Sequence, residues 1–301
     1  MKKIILSILV ISMVLVLGIG LTACNNNATP QGQLASIVGG LQYPQNHEEF
    51  VYDVLDTRDN STGTYVVKLD AYTQGSNVPF GNSTITNADE GILIHVSLKF
   101  GNTEYETGCY YKIVSGTSFM VPAYSFRTQT VDGKLQFDLQ ASYEGGSFSY
   151  DRTVGEVKDS GSVKVSGTVV FDNNQMQQVL RSLTTFSSSV SISFNVPIVS
   201  ASEATSTSLT ASGGSVENVK VAYSDSNELY KENGIPCYRL SISRSTVVSG
   251  TSQTLYYSTN DSVCGGWKVK NPLVKIIEPY KSKVDGNPYS MEYTLRTITI
   301  S

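Results

Sequence analysis

The sequence predicts an all-β domain, mainly antiparallel, built as a curved sheet, a sandwich or a half-open β-barrel with one amphipathic helix packed near 173–186. Three observations predict this class. Apolar and polar residues alternate through most of the chain beyond residue 49, which buries one face of each strand. The chain contains 18 tyrosines, a residue type that favours pleated surfaces. One stretch departs from the alternation and shows helical spacing instead.

Apolar residues alternate with polar ones at 65–71 and at 92–100, and this alternation predicts the first strands. Farther along the chain, Asp132-Gly133 lies between two segments in which apolar and polar residues alternate. This dipeptide predicts a tight hairpin, because both positions tolerate positive φ. Alternating runs at 163–171 and 190–196 predict two more strands.

The segment from Asp172 to Phe186 predicts the helix. Its apolar stripe consists of Met176, Val179, Leu180 and Leu183. Asp172 or Asn173 is expected to cap the start, and Arg181 suits the last turn. A lone amphipathic helix must bury its stripe against a sheet face or in a barrel mouth. A core plug with no further role is the commoner alternative.

The last third of the chain returns to strands. The low-complexity stretch 200–215 predicts a long loop or an irregular strand, and Ser249-Gly250 predicts a turn. In the final strand the apolar phase switches between Leu295 and Ile298, which predicts a β-bulge near Arg296 or Thr297.

The N-terminus carries an export pattern, with Lys2 and Lys3 followed by an apolar run to Leu21. The run is near the lower limit for a membrane helix, which is the rival interpretation. Leu21-Thr22-Ala23-Cys24 resembles the lipobox of bacterial lipoproteins. That resemblance implies that Cys24 receives a diacylglycerol after cleavage of the signal.

These features predict a signal peptide at 1–23, a flexible tether at 24–48 and a single antiparallel β domain at 49–301. The protein is expected to be exported and anchored to the bacterial cell membrane by the lipid on Cys24, with the folded domain on the extracytoplasmic side. The formal net charge of −4 gives no general attraction to nucleic acid, which is therefore not an expected partner.

Three cysteines follow Cys24: Cys109, Cys237 and Cys264. An odd number leaves at least one unpaired in an exported protein. Cys237 and Cys264 flank what reads as a hairpin, so they are the candidate disulfide. The alternative is three partly buried free thiols.

The sequence contains no motif that predicts catalysis, a metal site or a cofactor. Its two histidines are His47 and His95, and no Gly-x-Ser-x-Gly sequence frames a serine. Tyrosines are the remaining candidates for a binding surface, and Tyr110, Tyr256 and Tyr257 are the candidate ligand-facing residues. The alternative for them is ordinary cross-strand aromatic packing.

The order of elements also resembles an exported β-protein group, the domain of unknown function 3108 family. The matching positions are Asp172 with Leu180-Arg181, then Gly234, Pro236 and Tyr238, then Tyr256, Tyr257 and Asp261. Asn173 departs from the pattern, since a proline often follows the aspartate. The resemblance implies a curved antiparallel sheet or barrel with a helix against it. It implies no catalytic residue.

We therefore predict a non-enzymatic envelope lipoprotein that binds an apolar or amphiphilic ligand or has a structural role. Such a ligand needs a cavity of at least about 300 Å³. The alternative is an extracellular adhesion or scaffolding module that binds protein or glycan. The least favoured hypothesis is a hydrolase, which requires a serine or Cys109 near His47 or His95.

Overall fold

The computed structural model describes residues 47–114, 120–165, 170–173, 175–183, 186, 188, 190–221, 233–244, 252–264, 266–282 and 284–301. The predicted signal peptide, Cys24 and nearly all of the predicted tether lie outside these residues. The predicted turn at Ser249-Gly250 lies outside them as well.

The described chain is dominated by β-strands, as predicted. The first nine are β1 (His47–Asp56), β2 (Thr62–Tyr72), β3 (Val78–Phe80), β4 (Ser83–Ile85), β5 (Gly91–Phe100), β6 (Thr103–Ile113), β7 (Met120–Val131), β8 (Lys134–Glu144) and β9 (Ser147–Val154). The next nine are β10 (Val157–Lys164), β11 (Ser191–Val199), β12 (Ala204–Val219), β13 (Ile235–Arg244), β14 (Gln253–Ser258), β15 (Ser262–Cys264), β16 (Trp267–Val269), β17 (Leu273–Lys281) and β18 (Pro288–Ile300).

Fourteen of these strands form one antiparallel sheet that curls into a nearly closed barrel. Their order is β10-β9-β8-β7-β6-β5-β2-β1-β18-β17-β14-β13-β12-β11, and two small hairpins, β3–β4 and β15–β16, stand apart from it. The barrel form of the predicted fold class is therefore confirmed. The stretch 200–215 belongs mainly to the long strand β12, which is irregular between Gly213 and Val216.

Two local predictions on the strands are confirmed. Asp132 and Gly133 connect β7 to β8 with φ of +52° and +71°, as a tight hairpin turn requires. On β18, Thr297 lies opposite Val51 and Leu295 lies opposite Tyr52, so the residue between them is an extra one. This bulge at residue 296 explains why the apolar phase of β18 switches there.

Near the edge strands β10 and β11, the described contacts that close the barrel are an isolated backbone bridge between Val170 and Asn195 of β11 and side chains of β9 and β7 that reach the end of β11. Arg152 of β9 donates to the carbonyl oxygen of Ser200 at 2.6 Å, just beyond the end of β11. Arg127 of β7 donates to the carbonyl oxygen of Val199 at 2.8 Å. Charged hydrogen bonds of this kind are stronger than neutral ones, and they hold the seam of the barrel.

The helix is shorter than the predicted 173–186. It consists of α1 (Met176–Val179) followed by a 3-10 turn (Leu180–Ser182). The predicted stripe is buried, since each of its four residues is at most 6% exposed. Within the described residues, no helix is long and apolar enough to cross a membrane.

The predicted helix cap was wrong. Gln175 occupies the N-cap position and makes no capping hydrogen bond with its side chain. The carboxylate of Asp172 instead accepts a hydrogen bond of 2.8 Å from the hydroxyl of Tyr143 on β8. The side chain of Asp172, which the local sequence predicts as a helix cap, is therefore engaged in a tertiary contact instead.

Candidate functional site

A segment of the chain itself fills the barrel. We call the described residues 171–173, 175–183 and 186 the plug. Their apolar side chains belong to the same buried cluster as inward-facing residues of β1, β2, β5, β6, β11 to β14, β17 and β18. The largest fully buried side chains of the molecule include Phe50, Tyr52, Tyr111, Phe171, Phe194, Leu180 and Tyr257. Together with the plug, these buried side chains fill much of the interior.

A buried ion pair fixes the plug to β1. Arg181 donates to the carboxylate of Glu48 at 3.0 Å, and the two side chains are 6% and 5% exposed. The Arg181 guanidinium also lies 4.6 Å from the centre of the Phe50 ring and donates to the carbonyl oxygen of Lys270. The desolvation cost of a buried ion pair is offset only where additional hydrogen bonds engage its remaining polar atoms, and Arg181 makes such hydrogen bonds.

Other polar groups of the plug are only partly satisfied. Gln175 donates to the hydroxyl of Thr107 at 3.1 Å, and the backbone carbonyl of Gln177 accepts from the hydroxyl of Tyr257 at 2.7 Å. The side-chain carbonyls of Gln175 and Gln177 and the amide nitrogen of Gln178 have no partner among the described residues. Buried polar atoms in this state are expected positions for ordered water.

Burial disfavours ionisation of the interior thiol of Cys109 and of the phenol of Tyr143. Desolvation, with Asp172 close by, raises the pKa of the Cys109 thiol and of the Tyr143 phenol well above their ordinary values. Only a thiolate is a competent nucleophile, so Cys109 is inert inside the folded barrel. Both histidines lie on the other face of the sheet, where His47 pairs with Asp70 at 2.6 Å and His95 lies beside Phe126. The geometry therefore keeps Cys109 apart from the residues that a hydrolase would need.

The accessible candidate site is a groove on the outer wall, which we call the outer groove. It has a volume of about 750 Å³ and runs between the β3–β4 hairpin and strands β7 to β10. That volume is in the range of small-molecule sites, roughly 300–1,000 Å³. On the hairpin side it is lined by Phe80, Ser83, Thr84, Ile85 and Thr86.

Strand register places two rows of side chains on the floor of the outer groove. Tyr124, Ser142 and Ser149 lie opposite one another on β7, β8 and β9. In the next row, Gln140 and Asp151 lie opposite each other, and Ser160 of β10 follows Asp151. The groove therefore presents hydroxyl, amide and carboxylate groups beside two tyrosines, Tyr124, which is 39% exposed, and the less exposed Tyr150.

The hairpin wall of the groove depends on a glycine. Phe126 lies so closely over Gly108 that a Cβ there would be 2.2 Å from its ring. Phe80 of the hairpin meets Phe126 edge to face, with ring centres 4.9 Å apart, and also contacts Tyr124 at 6.3 Å. An aromatic ring that covers a strand glycine fixes the register and gives the hairpin a flat surface on which to pack.

A second groove, of about 640 Å³, lies on the outer wall around β1, β2, β5 and β18. Its charged side chains already pair with one another. Arg296 contacts Asp53 at 2.8 Å, and Lys99 contacts Glu104 at 2.7 Å. The charges that could attract a ligand are thus engaged within the protein, and the outer groove is the better candidate.

The structure does not bring the three predicted ligand-facing tyrosines together. Tyr257 is fully buried in the barrel, whereas Tyr256 faces the opposite side and donates to Glu217 at 3.3 Å. Tyr110 is buried on the outer wall beneath the β3–β4 hairpin, where burial, with Asp89 nearby, raises its pKa to about 12. Each ring is used for packing or for an internal hydrogen bond.

The candidate disulfide between Cys237 and Cys264 is not formed in the structure, and Cys109 is in no disulfide either. Cys237 is fully buried on β13, and burial raises its pKa to about 12. The thiol of Cys264 instead donates to the carbonyl oxygen of Ile298 at 3.2 Å. Among the described residues, no group of three or more His, Cys, Asp or Glu residues is placed to hold a metal ion.

Sequence reasoning missed the residues that form the outer groove and the ion pair. Tyr124, Gln140 and Asp151 occupy the polar phase of alternating strands, which is the only signal they carry. The pairing of Glu48 with Arg181 joins residues 133 positions apart and leaves no local pattern.

No protein-family model and no curated protein matches the chain. Among solved structures, the chain is similar to a beta-barrel-like protein of domain of unknown function DUF1849 from Brucella abortus. The TM-score is 0.47 and the sequence identity 11%, over 86% of this chain and 99% of that chain. The resemblance to the domain of unknown function 3108 family stays a prediction.

Proposed function

We propose that this protein is a lipid-anchored component of the bacterial cell envelope that acts by binding and not by catalysis. In this proposal Cys24 carries the lipid, and the barrel lies on the extracytoplasmic side of the membrane. The lipobox at Leu21-Thr22-Ala23-Cys24 supports the anchor.

The observation that carries the binding role is the plugged interior. Because the plug and its ion pair occupy the barrel, the outer wall is the accessible recognition surface. A rigid wall with a preformed groove binds without the cost of ordering flexible loops. This favours the adhesion or scaffolding hypothesis over an apolar ligand held inside the barrel.

Lipid attachment is tested by expressing the full chain in a bacterial host that is fed a radiolabelled or clickable palmitate. The wild-type protein is expected to carry the label and to sediment with membranes. Cys24→Ser removes the acceptor thiol, so this variant is expected to be unlabelled. Label that persists on the variant would refute the anchor at Cys24.

The location of the binding surface is tested by native mass spectrometry of the mature domain purified from its own host. The plugged barrel is expected to carry no tightly held lipid. A stoichiometric lipid that resists dilution would overturn the outer-wall assignment and favour an apolar ligand in the interior.

A further inference from the structure

We infer that the outer groove binds a neutral glycan chain, with Tyr124 as the stacking platform and Gln140 and Asp151 as the hydrogen-bonding residues. This inference rests on the proposed binding function and names the ligand class for the same surface.

The groove has polar groups that the protein leaves unused. The side chains of Gln140, Ser142, Ser149 and Asp151 line it and have no hydrogen-bond partner among the described residues. Hydroxyl and amide groups both donate and accept, whereas a carboxylate accepts only. That mixture matches the hydroxyl groups of a sugar, each of which both donates and accepts.

The aromatic component fits the same ligand. A sugar ring presents an apolar C–H face as well as hydroxyl edges, and tyrosine offers a flat apolar ring with a polar tip. Tyr124 is 39% exposed at the groove, and its ring makes an edge-to-face contact with Phe80, with ring centres 6.3 Å apart. The platform is therefore fixed before a ligand arrives, which reduces the entropic cost of binding.

The charge of the groove argues against ionic polymers. Among the described residues that line it, none is a lysine or arginine, and Asp151 is the one acid. An anionic polymer would meet no cation there, and a cationic peptide would meet a single carboxylate. A neutral glycan needs neither, because its contacts are stacking and hydrogen bonds.

The groove is also placed away from the strand at which the tether enters. In the order of the sheet, β10 is seven positions from β1, which is halfway around a circuit of fourteen strands. The groove lies on β7 to β10, so it faces away from the wall that contains β1. A polymer can therefore reach it without crossing β1.

The test is isothermal titration calorimetry and affinity gel electrophoresis of the folded domain with neutral glycans: maltohexaose, cellohexaose, laminarihexaose, chitohexaose and soluble mannan. At least one is expected to bind, with an affinity that changes less than threefold between 50 and 500 mM salt, roughly, because no ion pair is involved. Heparin and oligolysine serve as the ionic probes. Binding to either of these alone, with strong salt dependence, overturns the inference.

Three variants assign the binding to the groove. Tyr124→Ala is expected to weaken it about tenfold or more, whereas Tyr124→Phe keeps the ring and stays within about threefold of wild type. Leu135→Ala removes a comparably exposed apolar side chain outside the groove and serves as the matched control. Equal affinity of Tyr124→Ala and wild type overturns the inference.

The outcomes separate this inference from the proposed function. If none of the neutral glycans binds, the glycan assignment fails, while the anchor and the outer-wall binding role stand on their own tests. If a glycan binds and new reducing ends appear with time, the ligand class is supported and the non-enzymatic role is refuted.

Discussion

Replacing Arg181 tests the claim that one buried ion pair fixes the plug in the barrel. Arg181→Met keeps much of the aliphatic volume and leaves the Glu48 carboxylate buried without its partner. Removing one member of a buried pair costs about 3–5 kcal/mol. The ring of Phe50 at 4.6 Å adds a cation–π contribution, which is also lost.

The assay is urea and thermal unfolding of the soluble domain, followed by circular dichroism. For a domain of this size, about 2–4 °C of melting temperature corresponds to 1 kcal/mol, so Arg181→Met is expected to melt roughly 6–20 °C below wild type. The matched control is Arg296→Met, which breaks the exposed pair with Asp53 and is expected to cost less than about 1 kcal/mol.

A double variant separates the ion pair from simple packing loss. Because Glu48→Leu with Arg181→Met removes both charges, it is expected to recover most of the stability that either single change loses. The reasoning is refuted if the free energy of unfolding of Arg181→Met is within about 1 kcal/mol of that of wild type. It is also refuted if the loss of stability in the double variant equals the sum of the losses in the two single variants.

Three further predictions follow from the packing. Gly108→Ala forces the ring of Phe126 to move, which is expected to cost about 1–3 kcal/mol in urea unfolding and to speed hydrogen exchange in the β3–β4 hairpin. Burial raises the pKa of Tyr143, so the unfolded state binds fewer protons than the folded state above pH 10, roughly, and stability falls as pH rises from there. The contribution of Tyr143 to the absorbance at 295 nm, taken as the difference between wild type and Tyr143→Phe, is expected to change together with circular dichroism, and ionisation of this phenol before unfolding would contradict the prediction. Because no disulfide joins Cys237 to Cys264, a reductant is expected to leave the melting temperature unchanged, and thiol titration in denaturant should detect both.

Local signals in the sequence were sufficient for many of the strands and for the β7–β8 turn. The predicted strand at 163–171 is an exception, because β10 ends at Lys164 and only an isolated bridge at Val170 is described beyond it. The turn at Asp132-Gly133 and the bulge at residue 296 each follow from a few adjacent residues, since positive φ and a switch of apolar phase are local constraints. The burial of the helical stripe was likewise predicted from spacing alone.

The candidate site depends on contacts that no local pattern encodes. Asp172 or Asn173 was expected to cap the helix, but the carboxylate of Asp172 accepts a hydrogen bond from Tyr143 of β8, and the N-cap residue is Gln175. The outer groove forms because the β3–β4 hairpin folds over Phe126, and the position of that hairpin is set by tertiary packing. Alternation identified the polar phase of β7 and β8 but not the hairpin wall of the groove.

The energy of the ion pair also bears on where a ligand binds. A ligand inside the barrel requires the plug to move, and breaking the pair of Glu48 with Arg181 costs about 3–5 kcal/mol. The open state is then populated at roughly 10⁻² to 10⁻⁴, and the apparent affinity of an interior ligand falls by the same factor. A ligand in the outer groove bears no such cost. If the interior were nevertheless the binding site, Arg181→Met would tighten binding of an apolar dye by about 100-fold or more. We expect instead that glycan affinity at the outer groove is the same in Arg181→Met and wild type at temperatures where both are folded.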